Sequence, residues 1–231
     1  MEVSEMAPRS PTIRVRIRGP MACFTRPELK VERVSYEVMT PSAARGTLEA
    51  ILWKPAIRWR IERIHVLAPI RWGQLRRNEV NSKLSERGNF TTYCADEDRA
   101  QRNTLYLRDV DYVVEARFEL TDQAGSGDNL TKFVEMFQRR LEKGQHFHQP
   151  YLGCREFVAD VGPASEAWSI PADLAGPRPL GLMLWDIEHN PKGTKRDDAG
   201  RTIHVCDGCA PRFFEAKLQD GVLEVPEAVT P

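Results

Sequence analysis

The stretch from Gly125 to Phe157 holds the residues of this sequence best suited to chemistry: a glycine-rich loop, a helix-forming segment and two histidines. Apolar residues recur at helical spacing after Asp128, a good N-cap, and Gly144 follows the last of them as a C-terminal cap. Lys132 falls in the first turn, where a cation opposes the helix dipole by about 0.3–1 kcal/mol, and a bound anion would reverse that effect. The Gly125–Gly127 loop, free N–H groups and the lysine form a candidate phosphate cradle. An ordinary surface lysine beside a loop is the alternative.

Two histidines, His146 and His148, follow that helix in the segment KGQHFHQPYLG, and Tyr151 lies close behind. Histidine is the side chain best suited to proton transfer near neutral pH. With Lys132, a histidine could take the proton of a ribose 2′-hydroxyl or protonate a departing 5′-oxygen, while the ammonium stabilises the pentacoordinate phosphorane. The sequence thus predicts a catalytic group of Lys132, His148, His146 and Tyr151. Loop histidines bonded to backbone carbonyls are the structural alternative.

Metal chemistry has little support in the sequence. Cys206 and Cys209 have the spacing of a zinc knuckle, but there is no second cysteine pair, and His204 or Cys154 could join only through the tertiary fold. The acidic pairs lie in turn-like sequence, which does not favour a two-metal nuclease. No P-loop, dinucleotide-binding fingerprint or nucleophile-elbow motif is present. We therefore expect neither a metal nor a cofactor.

Arginines indicate a candidate nucleic-acid surface. They alternate with apolar residues from Thr12 to Arg18 and from Ile57 to Glu62, the period of a half-buried strand with a basic open face. Residues 71–103 lack strong periodicity and indicate a long basic insertion. The residues predicted to bind RNA are Arg45, Arg58, Arg60, Arg71, Arg76, Arg77, Arg102 and Arg108. A solvated strand face is the alternative, and no aromatic motif predicts base stacking on the sheet.

Composition narrows the class of protein without naming a partner. The 231 residues carry 33 basic and 33 acidic side chains, so net charge does not identify what the protein binds. No apolar run reaches the ~18 residues of a membrane span, and the N-terminus lacks a signal-peptide pattern. Five scattered cysteines suit a reducing compartment better than a disulfide framework. We expect a cytoplasmic protein with no membrane partner.

The element order predicts the fold class. A helix capped by Thr40-Pro41 ends at Lys54-Pro55, and the strand after it changes apolar parity near Arg63, which predicts a bulge. A strand pair follows at Thr104–Leu107 and Asp111–Leu120, then the second helix and a strand around Arg155–Val161. Strand, helix, strand, strand, helix, strand is the order of a ferredoxin-like (RRM-like) domain, which we place at residues 12–165 of an α+β protein.

The chain changes character after Pro163. A proline-rich linker over Ile170–Pro179 precedes several short strand candidates, the last two joined by a tight Asp220-Gly221 hairpin. We therefore predict a small antiparallel β-sheet domain at the C-terminus, residues 166–231.

Two segments resemble a known family. One runs from VMTPSAARG to EAILWKP, residues 38–55, and the other from RRLEKGQ to YLGCREF, residues 139–157. Arg102-Asn103-Thr104-Leu105 and Arg108-Asp109-Val110 support them. Over roughly residues 12–225 the chain resembles the CRISPR-associated RAMP-superfamily protein of the type I-C (Dvulg) system, the pre-crRNA-processing endoribonuclease of its Cascade complex.

The resemblance implies a ferredoxin-like N-terminal domain with a small β-sheet C-terminal domain, and a metal-independent endoribonuclease that cuts repeat hairpins in the precursor RNA. The products would carry a 2′,3′-cyclic phosphate and a 5′-hydroxyl, and the enzyme would retain the crRNA 5′ handle within Cascade. The implied partners are pre-crRNA and crRNA, other type I-C Cascade subunits and, as in some relatives, duplex DNA.

The sequence departs from the family at two positions. Some members have a tyrosine immediately before Trp-Lys-Pro and a Lys-His pair early in the second helix, where this chain has Leu52 and Lys132-Phe133. Only Lys132 carries over. We therefore assign proton transfer to His148, His146 and Tyr151, with Tyr36 behind them. The alternatives are a non-catalytic RNA-binding scaffold of Cascade and a duplex-DNA-binding protein that uses the basic insertion.

Overall fold

The structure, a computed structural model, describes residues 8–81, 94–165, 167–188, 194–196, 202–204 and 209–229. The strands are β1 (Ile13–Ala22), β2 (Arg33–Val34), β3 (Ile57–Val66), β4 (Arg71–Val80), β5 (Arg99–Leu120), β6 (Asp160–Pro163), β7 (Pro177–Glu188), β8 (Thr194–Arg196), β9 (Thr202–His204), β10 (Ala210–Gln219) and β11 (Val222–Glu224). The helices are α1 (Pro41–Ile51) and α2 (Leu130–Glu142), and a 3₁₀ turn spans Ala172–Leu174.

A large, mostly antiparallel sheet organises the molecule, with its strands in the order β6-β1-β5-β3-β11-β10-β7. β2 and β4 flank the first half of β5, and β8 pairs with β9 in a separate ribbon. Helices packed on an antiparallel sheet confirm the predicted α+β class. The strands predicted for the C-terminal domain continue the same sheet through the pairing of β11 with β3, and the boundary proposed at residue 166 stays a prediction.

β5 is one continuous strand, so the predicted strand pair at Thr104–Leu107 and Asp111–Leu120 is wrong. The turn-like sequence between them does hold an irregularity, because Asp109 has a φ of 51°, but the chain runs on without reversing. The second half of β5 lies between β1 and β3, and its first half pairs with β4 from Arg71 opposite Arg108 to Val80 opposite Arg99.

The predicted basic insertion at residues 71–103 is thus built on an antiparallel ribbon of β4 and the start of β5, while residues 82–93 lie outside the described part. Sequence periodicity missed the ribbon because β4 has no fully buried residue. Without a buried face, a strand shows no alternation between apolar and polar residues.

Two local predictions hold. The ladder between β3 and β5 shifts register between Ile61 and Arg63, which confirms the bulge and turns Ile64 towards the core. α1 starts as expected, since the Thr40 hydroxyl accepts a hydrogen bond from the Ala43 N–H at 3.3 Å and Pro41 is the first helical residue.

The core lies between the sheet and the two helices. Trp59 of β3 packs edge-on against Phe118 of β5, with ring centroids 5.1 Å apart, and contacts Phe137 of α2 at 4.8 Å. Leu48 of α1 is also fully buried in this cluster. The same cluster continues under the C-terminal strands through Met183 and other residues. One core therefore fixes both helix termini relative to the sheet.

The chain after α2 is more compact than expected. The strand predicted around Arg155–Val161 begins only at Asp160, because residues 151–157 form a tight turn. Gly153 has a φ of 82° there, and Cys23 donates its N–H to the Leu152 carbonyl at 3.0 Å. The Asp220-Gly221 hairpin is confirmed, with both residues at positive φ. Within the described ranges, neither helix has the length and apolarity needed to cross a bilayer.

We predict that Gly153→Ala destabilises the protein by about 2 kcal/mol or more, because it combines a left-handed backbone with an overpacked contact. A Cβ at this position would overlap the carbonyl of Cys23. Gly46→Ala is the matched control, since that glycine lies inside α1 with open space around it, and the change should stabilise the helix by about 0.5–1 kcal/mol. Urea unfolding measures both, and equal effects would contradict this reading of the 151–157 turn.

Candidate functional site

The first turn of α2 carries the predicted phosphate cradle, but a carboxylate of the protein occupies it. The N-cap is Asn129, whose Oδ1 accepts from the Lys132 N–H at 2.9 Å, so the prediction of Asp128 as cap is wrong by one residue. Asp128 instead accepts from the Lys132 ammonium at 2.9 Å and from the Gly125 N–H at 3.1 Å. These hydrogen bonds hold the pKa of Asp128 below its usual value. An incoming phosphate must therefore compete with Asp128 for Lys132.

A second cation lies near this turn. Lys54, two residues beyond the C-cap of α1, also helps to lower the pKa of Asp128, after the larger effects of Lys132 and Gly125. Trp53 beside it is 61% exposed. From the sequence, Lys54 served to end the first helix and both residues formed part of a family motif, but neither was predicted to bind RNA. Their position in the sequence could have indicated a surface site, because a tryptophan and a lysine directly after the end of a helix are exposed.

The histidine segment wraps around the C-terminal half of α1. The Phe147 N–H donates to the Ala50 carbonyl at 2.8 Å. The His148 and Tyr151 rings stack at 6.3 Å with an interplanar angle of 27°. Phe147 is 83% exposed and meets His148 edge-on at 6.1 Å. Sequence analysis missed Phe147, whose signal is an aromatic residue between two histidines outside any apolar pattern.

His146 and His148 differ in their surroundings. The Nδ1 of His148 lies 3.3 Å from the Gln149 carbonyl. When that nitrogen donates, Nε2 of the neutral ring is free to accept a proton. His146 instead borders a cavity of about 190 Å³ with Arg140 and Asp160. Arg140 is held there by donating to the Ile51 carbonyl at 2.7 Å.

The structure does not bring Lys132 together with the histidines. Lys132 lies in the first turn of α2 and the histidines follow its last turn, so the helix places about 18 Å of rise between Lys132 and Gly144, at ~1.5 Å per residue. The ammonium also points the other way, to Asp128 and to the Gly127 carbonyl at 3.4 Å. Lys132 and His148 therefore do not act on one phosphate. They belong to two separate groups of residues, one at the first turn of α2 and one in the segment after its last turn.

The basic sheet face predicted from β1 and β3 is neutralised by carboxylates of β5. Arg14 bonds Glu115 at 2.9 Å, and Arg60 bonds Glu119 at 2.8 Å. Arg16 likewise pairs with a β5 carboxylate. Arg58 is looser, 62% exposed and 4.0 Å from Glu119. Alternating arginines looked like a phosphate-binding face because β5, which supplies their partners, lies far along the sequence.

Among the remaining arginines predicted to bind RNA, some are paired with carboxylates and others are exposed. Arg45 of α1 makes a two-point contact with Asp186 of β7, and Arg77 bonds Glu156 at 2.8 Å. Arg71 and Arg108 are exposed and stand directly opposite each other across the ribbon. Like charges so placed repel unless an anion binds between them. Arg76 is exposed on the same strand, and Arg102 is half-buried opposite Arg77.

Three further positions that were considered for proton transfer, Tyr36, Leu52 and Phe133, are buried. Tyr36, the reserve proton donor, is buried, and its hydroxyl accepts from the Leu184 N–H at 3.3 Å. Burial raises the pKa of that hydroxyl, and Tyr36 is a core residue that does not lie at the surface with His148. Leu52 and Phe133 are both buried. The two positions where some family members have proton-transfer groups are thus part of the core here.

Only some of the residues considered for a zinc site belong to the part of the chain that the structure describes. Cys206 and the side chain of His204 lie outside the described residues. Cys154 is buried, and its thiol bonds Arg33 at 3.4 Å and the Cys23 carbonyl at 3.6 Å. Hydrogen bonding with the Cys23 thiol lowers its pKa. Among the described residues, no three histidine, cysteine or acidic side chains are grouped as a metal site.

Comparison with known proteins agrees with the motifs. A profile of the family described as CRISPR-associated protein (Cas_Cas5) matches residues 12–226. The chain is 44% identical over 229 residues to the protein named CRISPR pre-crRNA endoribonuclease Cas5d of Mannheimia succiniciproducens, covering 93% of this chain and 94% of that protein.

A second relative of the same name, from Thermus thermophilus, is 44% identical over 220 residues, covering 93% of this chain and 91% of the relative. A crystal structure of a CRISPR-associated protein shares the fold, with a TM-score of 0.66 at 21% identity over 95% of this chain and 94% of the other. The resemblance inferred from the motifs is confirmed: the chain belongs to the Cas5d family of CRISPR-associated proteins.

Proposed function

We propose that this protein is an endoribonuclease that cleaves repeat-derived pre-crRNA. Two relatives that are 44% identical over nearly their whole length carry the name CRISPR pre-crRNA endoribonuclease. The finer parts of the proposal are a metal-independent reaction, a 2′,3′-cyclic phosphate product and retention of the crRNA 5′ handle within a type I-C Cascade. A cytoplasmic location belongs to the same proposal.

The surface group of exposed Phe147 and His148 with half-buried Tyr151 is the observation that carries the proposal. An 83% exposed phenylalanine offers a face on which an RNA base can stack. Directly beside it, the stacked imidazole and phenol place two proton-transfer groups at the surface. A base held on Phe147 would bring its ribose and phosphate to these groups.

The proposed step is an in-line displacement within the RNA strand. His148 Nε2 takes the proton of the ribose 2′-hydroxyl, and the 2′-oxygen attacks the adjacent phosphorus. The bond from phosphorus to the 5′-oxygen breaks, and Tyr151 or protonated His146 donates a proton to that oxygen. The products are a 2′,3′-cyclic phosphate and a 5′-hydroxyl. Lys132 and Lys54, at the other end of α2, would bind phosphates of neighbouring nucleotides.

The order of the strands supports a ferredoxin-like core, and such a core would place this site at the edge of the sheet. Numbered among themselves, β1, β3, β5 and β6 are the first to fourth strands, and they stand in the order fourth, first, third, second. Both helices then lie on one face of the sheet and their ends meet at its margins. The histidine segment connects α2 to the fourth strand.

A non-catalytic RNA-binding subunit of Cascade is the second candidate. Buried Leu52 and Phe133 favour it, because the tyrosine and histidine that some members of the family use at these positions are absent. Duplex-DNA binding through the exposed Arg71 and Arg108 is a third candidate. Its test is whether duplex DNA competes with repeat RNA for the protein at physiological salt, because binding through weak phosphate contacts fades steeply with salt.

Cleavage in EDTA separates the enzyme from the scaffold. We expect wild-type protein to cut repeat RNA with EDTA present, and a 2′-deoxy substitution at the scissile nucleotide to abolish the cut, because the 2′-oxygen is the nucleophile. Gel electrophoresis and end-group analysis of the products measure both. If the wild-type protein leaves repeat RNA intact, the proposal that it is an endoribonuclease is wrong. If it still cuts the 2′-deoxy RNA, the proposed cyclic-phosphate mechanism is wrong.

His148→Ala and Tyr151→Phe should each slow single-turnover cleavage by about 100-fold or more, the usual contribution of a positioned general acid or base. RNA affinity should change little, because the substitutions remove proton transfer and not phosphate contacts. Gln149→Ala is the matched control, exposed in the same segment. Rates that equal wild type in both variants would overturn the assignment of His148 and Tyr151 while leaving the activity in place.

Lys132→Ala should weaken RNA binding and reduce the salt slope of log K by about one, as for the loss of one phosphate contact. Asp128→Asn should do the reverse and tighten binding, because it releases the ammonium from its carboxylate partner. Lys143→Ala, an exposed lysine at the other end of α2, is the control. Fluorescence anisotropy over a salt series measures all three. Weaker binding by Asp128→Asn would show that Lys132 does not contact phosphate.

A further inference from the structure

Arg140, in the last turn of α2, is tied to the histidine segment at two points. Its guanidinium donates to the Ile51 carbonyl at 2.7 Å, while the Phe147 N–H donates to the carbonyl of Ala50 at 2.8 Å. Adjacent residues of α1 therefore hold the guanidinium and the segment that carries both histidines. The Arg140 carbonyl also accepts from the Gln145 N–H at 2.8 Å, where the same segment begins. These bonds fix the arginine beside the histidines.

A cavity of about 190 Å³ opens at this junction. It is bordered by Arg140 and His146, and by Asp160 and Val161 at the start of β6. Whole small-molecule ligands usually fill clefts of roughly 300–1,000 Å³, so this cavity suits a smaller group, such as a phosphate with part of its ribose. An imidazole and a guanidinium thus border one space of the size that a single RNA linkage needs.

Arg140 brings to this cavity a charge that the protein does not neutralise. Among the described residues that border the cavity, the one carboxylate belongs to Asp160, and it pairs with Arg18 of β1 at 2.6 Å. Within the described part of the chain, the half-buried Arg140 guanidinium bonds only the Ile51 carbonyl. That bond uses one N–H of the guanidinium fork, and the others can hold a phosphate at two points. An anion would therefore meet a positioned cation without breaking an ion pair.

Lys132 cannot supply this charge, because it lies at the opposite end of α2 and bonds Asp128. In-line displacement puts negative charge on the non-bridging oxygens of the phosphorane, and a positioned cation is the usual means of stabilising that charge. Building on the proposed function, we propose that Arg140 binds one phosphate of the RNA in this cavity and that this is the phosphate which reacts.

Each group in the reaction then has a defined place. Arg140 bonds the non-bridging oxygens, His148 takes the proton of the ribose 2′-hydroxyl, and the 2′-oxygen bonds the phosphorus. The bond from phosphorus to the 5′-oxygen breaks, and protonated His146, which borders the same cavity as Arg140, donates its proton to that oxygen. The charge of the phosphorane is thus met at the site of reaction by Arg140, in the role that the sequence assigned to Lys132.

Capping of α1 is the simpler role for Arg140, because basic side chains near a helix C-terminus often bond its last carbonyls. Both roles predict that loss of Arg140 is harmful. They differ in one measurable respect, since only a phosphate ligand makes binding and cleavage depend on the charge and atoms of a single linkage. Arg139→Ala is the matched control, an exposed arginine of the same turn that does not border the cavity.

Binding to RNA with single neutral phosphates tests the contact without using cleavage. In repeat RNA with a 2′-deoxy scissile nucleotide, each phosphate is replaced in turn by a methylphosphonate, and affinity is measured by fluorescence anisotropy. We expect one replacement to weaken binding by wild type about ten-fold, the usual value of one charge-assisted hydrogen bond, and to have no effect on Arg140→Ala. Arg139→Ala should respond as wild type does. Each variant is compared only with itself, so a loss of stability does not change the result.

Sulfur substitution tests whether the bound phosphate is the one that reacts. The two phosphorothioate diastereomers at the scissile linkage are compared in single-turnover cleavage. Wild type should cut one of them much more slowly than the other. Arg140→Ala should cut unmodified RNA about 100-fold more slowly, as for the loss of one donor to a developing oxyanion, and should treat both diastereomers alike. Arg140→Lys keeps the charge and should recover part of the rate.

Three outcomes would overturn the proposal: the absence of a phosphate whose contribution vanishes in Arg140→Ala, an Arg140-dependent phosphate that is not the scissile one, or an unchanged diastereomer preference in Arg140→Ala. A protein that shows the Arg140-dependent phosphate but leaves RNA intact would refute the proposed function, while Arg140 would remain a phosphate ligand.

Discussion

The pairing of β5 carboxylates with arginines of its neighbour strands is the interaction on which the rest of this molecule depends. Glu115 is almost fully buried and bonds both Arg14 of β1 and Arg63 of β3 at 2.9 Å. Glu119 holds Arg60 in the same way. Each carboxylate bridges from the central strand to a strand beside it. A buried carboxylate is tolerated only with such partners, so the arginines are committed to the sheet.

That commitment decides where nucleic acid can bind. A sheet face whose guanidinium groups are already paired gains little from phosphate, because binding would have to break existing ion pairs. The cations and aromatic rings outside the paired sheet face lie elsewhere: around Lys132 and Lys54, at Phe147, and on the ribbon at Arg71 and Arg108. These places surround the sheet, and the core between sheet and helices keeps them in fixed relative positions.

The sequence was sufficient for features that depend on neighbouring residues. The Thr40 cap, the bulge before Arg63 and the Asp220-Gly221 hairpin are local and were predicted. The continuity of β5 was not, because Asp109 looks like a turn and only pairing with strands on both sides keeps the chain extended. The exposed ribbon was missed since neither of its faces leaves an apolar pattern.

The candidate site shows the same division. Motifs identified the family and the residues His148 and Tyr151, which the fold does bring together. Pairing Lys132 with the histidines failed, because a helix separates residues that are close in sequence by its own length. Asp128 was expected to cap the helix and neutralises the lysine instead. Long-range partners such as Glu119 for Arg60, or Asp186 for Arg45, could not be found without the topology.

Crosslinking of repeat RNA that contains 4-thiouridine, followed by mass spectrometry of the peptides, tests most directly whether the paired sheet face is excluded from RNA binding. We expect crosslinks in residues 125–132 and 145–152 and on the β4–β5 ribbon, with none in the β1 peptide from Ile13 to Arg18. Crosslinks concentrated on that β1 peptide would show that the β5 carboxylates do not withhold these arginines from RNA, which is the opposite of the result expected from their ion pairs.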